Sequence, residues 1–152
     1  MSCDFLFNDF NNGYPQIIIG TGPAESFQLH GLGPGYGGNA GRVTFYMYTT
    51  LGFGPYGRGI INGNGDGTLL SPYTMSLNVW HTVTVQKFAR SITLTVDGFS
   101  TSGSVATNAP EFRMPDPGTI RSASDPVWRA TAPASQLMHG EVRNMVITYA
   151  YA

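Results

Sequence analysis

Carboxylates are the residues in this sequence that could perform hydrolytic chemistry, and they are scattered along the chain. A glycoside hydrolase needs two carboxyl groups that flank the scissile bond. Of the nine acids, only Asp4 and Asp9, and Glu111 and Asp116, lie within five residues of each other. Asp116 stands between two prolines, a setting typical of a turn. We therefore expect no catalytic pair and no enzymatic activity.

Histidine and cysteine offer no stronger catalytic signal. His30, His81 and His139 are each isolated in sequence, and no Gly-x-Ser-x-Gly motif is present. The alternation after residue 80 predicts that His81 is a half-buried strand residue. Cys3 is the only cysteine, so it can form neither an internal disulfide nor a zinc-binding set. We expect it to lie near a mobile terminus.

Glycine-rich loops carry the residues that could bind a ligand. Thirteen of the twenty glycines lie between residues 31 and 67, and aromatic and cationic side chains stand among them. Loops held by a rigid frame are common recognition sites, and Trp and Arg are enriched at binding hot spots. The predicted ligand-binding residues are Tyr36, Tyr56, Arg58, Trp128 and Arg129. The alternative is loop packing, and for Trp128 a core position beneath a proline-rich loop.

The elements that must position these loops are short strands. Residues 42–50 (RVTFYMYTT), 80–87 (WHTVTVQK) and 91–97 (SITLTVD) alternate apolar and polar side chains. Asp97-Gly98 predicts a tight turn into a strand over residues 99–104, and residues 142–149 predict another strand. Weaker candidates are residues 4–10, 16–20, 25–30, 59–62 and 111–114. No helical period extends over ten residues, so we predict an all-β protein, an antiparallel β-sandwich or jelly roll.

Length and charge bound the remaining possibilities. The chain has 152 residues, which suits one domain over residues 1–152, and its formal net charge is −1. A neutral chain has no electrostatic footprint for nucleic acid, and no apolar run is long enough to span a membrane. We expect neither partner. Nothing before Asp4 resembles a signal peptide, so we expect another export route, release from a larger protein, or assembly on a particle in a reducing cytosol.

Two segments resemble laminin G-like domains, the laminin–neurexin–SHBG class of concanavalin A-like lectin sandwiches. Residues 78–98 (NVWHTVTVQKFARSITLTVDG) resemble the hairpin of that class, which opens with Trp-His and ends with Val-Asp-Gly. Residues 138–148 (MHGEVRNMVIT) resemble its closing strand. The matching positions in this second segment are Met138, Gly140, Val142, Asn144 and Ile147. The resemblance implies a laminin G-like sandwich, and it is weak before residue 42.

The resemblance also has implications for metal and location. The class places a calcium site at the sandwich rim, and Asp66 in the run NGNGDG is the candidate ligand here, with the turn of a glycine-rich hairpin as the alternative. Secreted animal members place a cysteine where this chain has Glu141. Its absence favours a bacterial, phage or viral member, on a virion or cell surface or otherwise extracellular.

Two functions follow as expectations. The first is a non-catalytic recognition or adhesion module that binds a glycan or a protein surface through its rim loops, with calcium as the one candidate cofactor. The alternative is a structural subunit, such as a virion decoration protein, tail-fibre head or extracellular filament, in which copies form a homo-oligomer. A glucanase-type glycoside hydrolase is a second alternative that the scattered acids disfavour.

Overall fold

Two antiparallel sheets form the protein in this computed structural model, which describes residues 1–10, 16–20, 27–47, 61–65, 67–105, 120–131 and 137–148. The strands are β1 (Ser2–Phe7), β2 (Gln16–Gly20), β3 (Phe27–Gly31), β4 (Val43–Met47), β5 (Ile61–Asn62), β6 (Thr68–Leu70), β7 (His81–Phe88), β8 (Ser91–Val96), β9 (Phe99–Val105), β10 (Arg121–Ser122) and β11 (Gly140–Val146). A 3-10 helix spans Pro34–Asn39, and one short α-helix, α1, spans Pro126–Thr131. No helix in these ranges has the length and apolar character of a membrane span.

The strand order places the hairpins predicted from the sequence at the centre of one sheet. The six-stranded sheet has the order β11-β1-β7-β8-β9-β5, and the five-stranded sheet has the order β10-β2-β3-β4-β6. Every recorded pair is antiparallel. The predicted all-β sandwich is confirmed.

The core lies between the inner faces of the two sheets. The alternation in β7 and β8 turns one apolar side chain in two inward, as predicted for Val83, Val85, Ile92, Leu94 and Val96. These five side chains are buried, and the two sheets enclose them with the largest apolar residues of the other strands. The residues at 1% exposure or less in this cluster include Phe5, Phe7, Ile18, Ile19, Leu29, Val43, Met47, Leu69 and Met138.

A tight turn sets the register of the hairpin formed by β8 and β9. Val96 pairs with Phe99, so Asp97 and Gly98 are the two loop residues, and their φ values are +50° and +84°. Positive φ at both positions is the signature of the type I′ turn, whose twist matches that of the flanking strands. The predicted Asp97-Gly98 turn is confirmed.

Several predicted bounds were wrong at the ends. The first strand is Ser2–Phe7 instead of residues 4–10, and the last is Gly140–Val146 instead of residues 142–149. Cys3 does not lie in a mobile terminus: it is 2% exposed in β1, with β7 and β11 on either side. Burial raises the pKa of its thiol to about 12. The predicted strand over residues 111–114 lies outside the described residues.

The strand β11 contains a β-bulge, which explains the unusual backbone conformation of Asn144. Ser2 pairs with Val146 and Asp4 with Arg143, so two residues of β11 oppose Cys3. The first of them, Asn144, has φ +55°. Asn adopts this left-handed conformation more readily than other residues that carry a side chain, which suits it to a bulge.

Candidate functional site

The outer face of the six-stranded sheet is a broad surface of hydroxyl groups. Outward Ser and Thr side chains alternate with inward side chains on β7, β8 and β9, and Ser2 of the neighbouring strand β1 joins them. All of these outward residues are exposed or half-exposed. We call them the hydroxyl face: Ser2, Thr82, Thr84, Ser91, Thr93, Thr95, Ser100, Ser102 and Ser104. Neighbouring strands lie about 4.8 Å apart, so the hydroxyl groups form a regular array.

Pairs of hydroxyl groups hydrogen-bond across β8 and β9. Thr93 Oγ1 lies 3.1 Å from Ser102 Oγ, and Thr95 Oγ1 lies 2.7 Å from Ser100 Oγ. A hydroxyl has one proton to donate and two lone pairs to accept with, so each pair retains one donor and free acceptor sites. The array therefore keeps hydrogen-bonding capacity directed at solvent.

One corner of this face carries a Trp–Arg pair. The guanidinium carbon of Arg143 lies 3.8 Å from the centroid of the Trp80 ring. This is cation–π geometry, and it fixes a long side chain that would otherwise sample many rotamers. Trp80 itself is half-buried. We call Trp80 and Arg143 the Trp–Arg corner.

Asp4 links this corner to the hydroxyl face. Its Oδ2 accepts from Asn144 Nδ2 at 2.8 Å and from Arg143 Nε at 3.4 Å, and its Oδ1 accepts from Thr82 Oγ1 at 2.9 Å. The hydrogen bond from Asn144, followed by that from Thr82, holds the pKa of Asp4 below its usual range. Asp4 therefore stays ionised and is a positioning group for Arg143 and Asn144.

A buried histidine, His81, connects the β8–β9 turn to the segment before β7 at the same end of the sheet. His81 is 6% exposed, with Nδ1 2.6 Å from Asp97 Oδ2 and Nε2 2.9 Å from the carbonyl oxygen of Ser76. Asp97 Oδ1 also accepts the Thr82 amide at 2.9 Å, and Tyr73 donates its hydroxyl to Oδ2 at 3.3 Å. Burial opposes ionisation of Asp97, but hydrogen bonds from His81 and the Thr82 amide outweigh it and lower its pKa. His81 is more buried than the half-buried position predicted for it.

The residues predicted from the sequence to bind a ligand are dispersed. Tyr36 lies in the 3-10 helix and is 36% exposed. Tyr56, Arg58 and Asp66 lie outside the described residues, so these three stay predictions. Asn64, in the same run as Asp66, uses its amide group to pair with Leu70.

That pairing is compatible with the turn of a glycine-rich hairpin, and the calcium site at Asp66 stays a prediction. The Leu70 amide donates to Asn64 Oδ1 at 2.8 Å, and Asn64 Nδ2 donates to the Leu70 carbonyl at 2.9 Å. The Asn64 side chain thus makes the pair of hydrogen bonds with Leu70 that the backbone of a neighbouring strand would make. Within the described ranges, no group of three His, Cys, Asp or Glu side chains could hold a metal ion.

The two predicted binding residues of α1, Trp128 and Arg129, differ in their surroundings. Asp125 accepts the amides of Val127 and Trp128 through Oδ1, which is helix capping. Trp128 is 7% exposed, and its indole Nε1 has no partner among the described residues. Arg129 donates from Nη1 to the Ala123 carbonyl at 3.2 Å. Trp128 is therefore buried, whereas Arg129 is exposed and contacts the backbone of its own loop.

Sequence reasoning missed the Trp–Arg corner, although part of its signal was present. Arg143 and Asn144 lie 139 and 140 positions from Asp4, and only the strand order brings them together. Asn144 was one of the positions of the laminin G-like resemblance, but its role as partner of Asp4 had no local signal. The Ser and Thr alternation of β7 to β9 was visible, and it was used only to assign strands.

Comparison with known proteins supports the fold. No protein-family model matches the sequence, and no curated protein matches it. Among solved structures, the chain is similar to domains LG4-5 of the mouse laminin alpha1 chain, with 18% identity and a TM-score of 0.52. The match covers 94% of this chain and 32% of that one, so this chain spans about a third of its length. At this identity the similarity shows the fold: the sandwich is laminin G-like, as the hairpin and closing strand indicated.

Proposed function

We propose that this chain is a non-catalytic recognition module that binds a polyhydroxylated ligand, a glycan, on the hydroxyl face. The observation that carries the proposal is the array itself: nine uncharged Ser and Thr side chains on four adjacent strands, all exposed or half-exposed. Hydroxyl groups that both donate and accept match the hydroxyl groups of a sugar without the desolvation cost of a charge. The Trp–Arg corner adds an aromatic and a cationic contact at one edge of this array.

Three of the carboxylates in the described part of the chain support a binding role over a catalytic one. A general acid in a glycoside hydrolase needs a raised pKa. Asp4 and Asp97 have lowered pKa values, because each accepts several hydrogen bonds. Asp125 caps α1 through its Oδ1. These three acids thus serve as hydrogen-bond acceptors that organise structure.

The rim loops belong to the same proposal as a second contact region. Tyr36 is the described member of the set predicted from the sequence, and its ring is partly exposed in the 3-10 helix. The laminin G-like fold is compatible with either surface. A recognition module of this kind would act outside the cell or on the surface of a cell or virion.

A glycan array with the fluorescently labelled chain tests the proposal. The array is followed by affinity measurement on its strongest ligand with the double variant Thr95→Ala/Ser100→Ala and the control Thr148→Ala, an exposed threonine beyond β11. We expect the double variant to weaken binding at least about tenfold, since two hydrogen-bonding groups are removed. We expect the control to bind like the wild type. Equal affinities for all three would refute the hydroxyl face as the binding surface.

A structural subunit is the second candidate function, and the same face favours it. Two copies of an uncharged hydroxyl face can hydrogen-bond to each other without like-charge repulsion. Phe88, at the turn between β7 and β8, is 83% exposed and would add an apolar contact. Light scattering coupled to gel filtration, over a dilution series with and without calcium, distinguishes the candidates: a stable oligomer without glycan affinity supports assembly, and a monomer that binds glycan supports recognition.

A further inference from the structure

The buried ring of His81 lies between two acceptors. Its Nδ1 lies 2.6 Å from a carboxylate oxygen of Asp97, and its Nε2 lies 2.9 Å from the carbonyl oxygen of Ser76. A carbonyl oxygen has no proton, and an ionised carboxylate has none either. Both ring nitrogens must therefore carry a proton for both contacts to be hydrogen bonds. With both hydrogen bonds formed, the ring is an imidazolium ion.

The neutral ring cannot keep both contacts. If only Nδ1 is protonated, the Nε2 lone pair faces the lone pairs of the Ser76 carbonyl. If only Nε2 is protonated, the Nδ1 lone pair faces the carboxylate of Asp97, which is worse because that group is charged. The contact given up is thus the one to Ser76. At 6% exposure, little water reaches His81 to replace it.

The surroundings of the ring leave Asp97 as its charged neighbour. From β1, the Phe5 ring faces His81 with centroids 5.4 Å apart. From the β8–β9 turn comes the Asp97 carboxylate, and Tyr73 reaches the pair through that carboxylate. From residues 71–80 comes the Ser76 carbonyl. Among the described residues, one carboxylate and one carbonyl thus decide which protonation state the site accepts.

Residues 76–80 depend on few other contacts. Met75, just before them, is 3% exposed, so the segment has a fixed start. Within the segment, Leu77 and Val79 are 40% and 49% exposed, and the Asn78 amide donates to the Phe7 carbonyl at 2.7 Å. A segment with few buried apolar contacts opens at a low free-energy cost. Asn8 Nδ2 also donates to Asn78 Oδ1 at 3.1 Å, and Arg143 contacts the ring of Trp80. The contact between His81 and Ser76 is one of this small set.

We propose that His81 is a protonation-dependent latch, in which the imidazolium ring holds residues 76–80 against the sandwich and loss of its proton releases them. Trp80 of the Trp–Arg corner lies in this segment, so release also disturbs one edge of the proposed binding surface. That consequence for binding rests on the proposed function, whereas the latch itself does not. The sign is fixed by the geometry: the ring with two protons favours the closed form and the ring with one proton disfavours it, so the segment opens more readily at higher pH.

NMR spectroscopy of the wild-type protein without ligand tests the latch. The ring ¹⁵N signals of His81 report its protonation state from pH 5 to pH 9, and amide exchange at Asn78 reports whether the segment is closed. We expect both ring nitrogens to be protonated at low pH. We expect protection of the Asn78 amide to fall at least about tenfold as the ring loses its proton, the scale of one hydrogen bond to a charged group. The buried ring of His30 provides an internal control for the pH series.

The variant Asp97→Asn is the matched test, because it removes the need for a proton on Nδ1 of His81. A carboxamide at this position can donate to the Nδ1 lone pair, so the neutral ring with a proton on Nε2 keeps both contacts. In this variant we expect protection of the Asn78 amide to be independent of pH. Three results would each overturn the proposal: a neutral ring with the segment closed, a ring that stays charged to pH 9, or release at the same pH in both proteins. Because no ligand is present, failure here is separate from failure of the glycan-binding test.

Discussion

His30 gives a quantitative prediction for the pH dependence of stability. It is a buried titratable group, and its hydrogen-bond partner carries no charge. It lies in β3, 4% exposed, with Nε2 2.5 Å from Gln28 Oε1 and Nδ1 without a partner among the described residues. Burial lowers the pKa of His30 to about 3. The native ring is therefore neutral throughout the weakly acidic range.

The magnitude follows from the difference between the native and unfolded pKa values. An unfolded histidine titrates near 6.5, so at pH 5 the unfolded chain binds about one proton at this position that the native chain does not. The unfolded state binds more protons, so stability falls as pH falls. Between pH 7 and pH 5, His30 alone lowers the free energy of unfolding by about 2 kcal/mol, at 1.36 kcal/mol for each pKa unit.

Urea unfolding at pH 7, 6 and 5, followed by tryptophan fluorescence, measures this slope. The variant His30→Gln retains an amide donor but cannot titrate, so we expect it to lose about 2 kcal/mol less than the wild type over this range. Thr44→Val is the control: it removes a buried hydrogen bond to the Leu69 carbonyl next to His30 in the sheet, without removing a titratable group. It should lower stability equally at each pH. If wild type and His30→Gln have the same slope, the buried neutral histidine is refuted.

Three further predictions test the fold that presents the hydroxyl face. A Cβ at Gly140 would lie 1.8 Å from the Leu6 carbonyl oxygen. We therefore expect Gly140→Ala to lower the free energy of unfolding by about 3 kcal/mol or more in urea unfolding. The control Gly38→Ala has open space around its Cβ and should change stability little. Asn144→Ala should cost about 1–2 kcal/mol more than Asn144→Gly in the same assay, because only glycine adopts φ +55° without strain. Cys3 should react with a thiol reagent at pH 8 only as fast as the protein unfolds, since its thiol is buried and its pKa is raised to about 12; rapid labelling of the native protein would contradict this.

The central hairpins were predictable because their signals are local. Alternation in β7 and β8 specifies which side chains face the core, and Asp97-Gly98 specifies the turn that aligns them. A slip of one residue would expose all five buried side chains of this pair of strands, so few registers compete. The laminin G-like resemblance drew on this same region.

What the sequence could not predict depends on distant contacts. Three-residue β6 is too short to show a period, and α1 begins where Asp125 caps it, with no helical pattern beyond six residues. Cys3 was misplaced because a strand at the chain terminus becomes central only when β7 and β11 pair with it on either side. The contact between Trp80 and Arg143 of β11 had no local signal, because only the strand order brings the two residues together.

An NMR titration of the labelled protein with the strongest glycan from the array maps the binding surface residue by residue. We expect amide shift changes on the outward residues of β7, β8 and β9, and a shift of the Trp80 indole signal at the edge of the same surface. Changes confined to residues 34–39, or to the buried face of the sheet, would contradict the hydroxyl face as the binding surface.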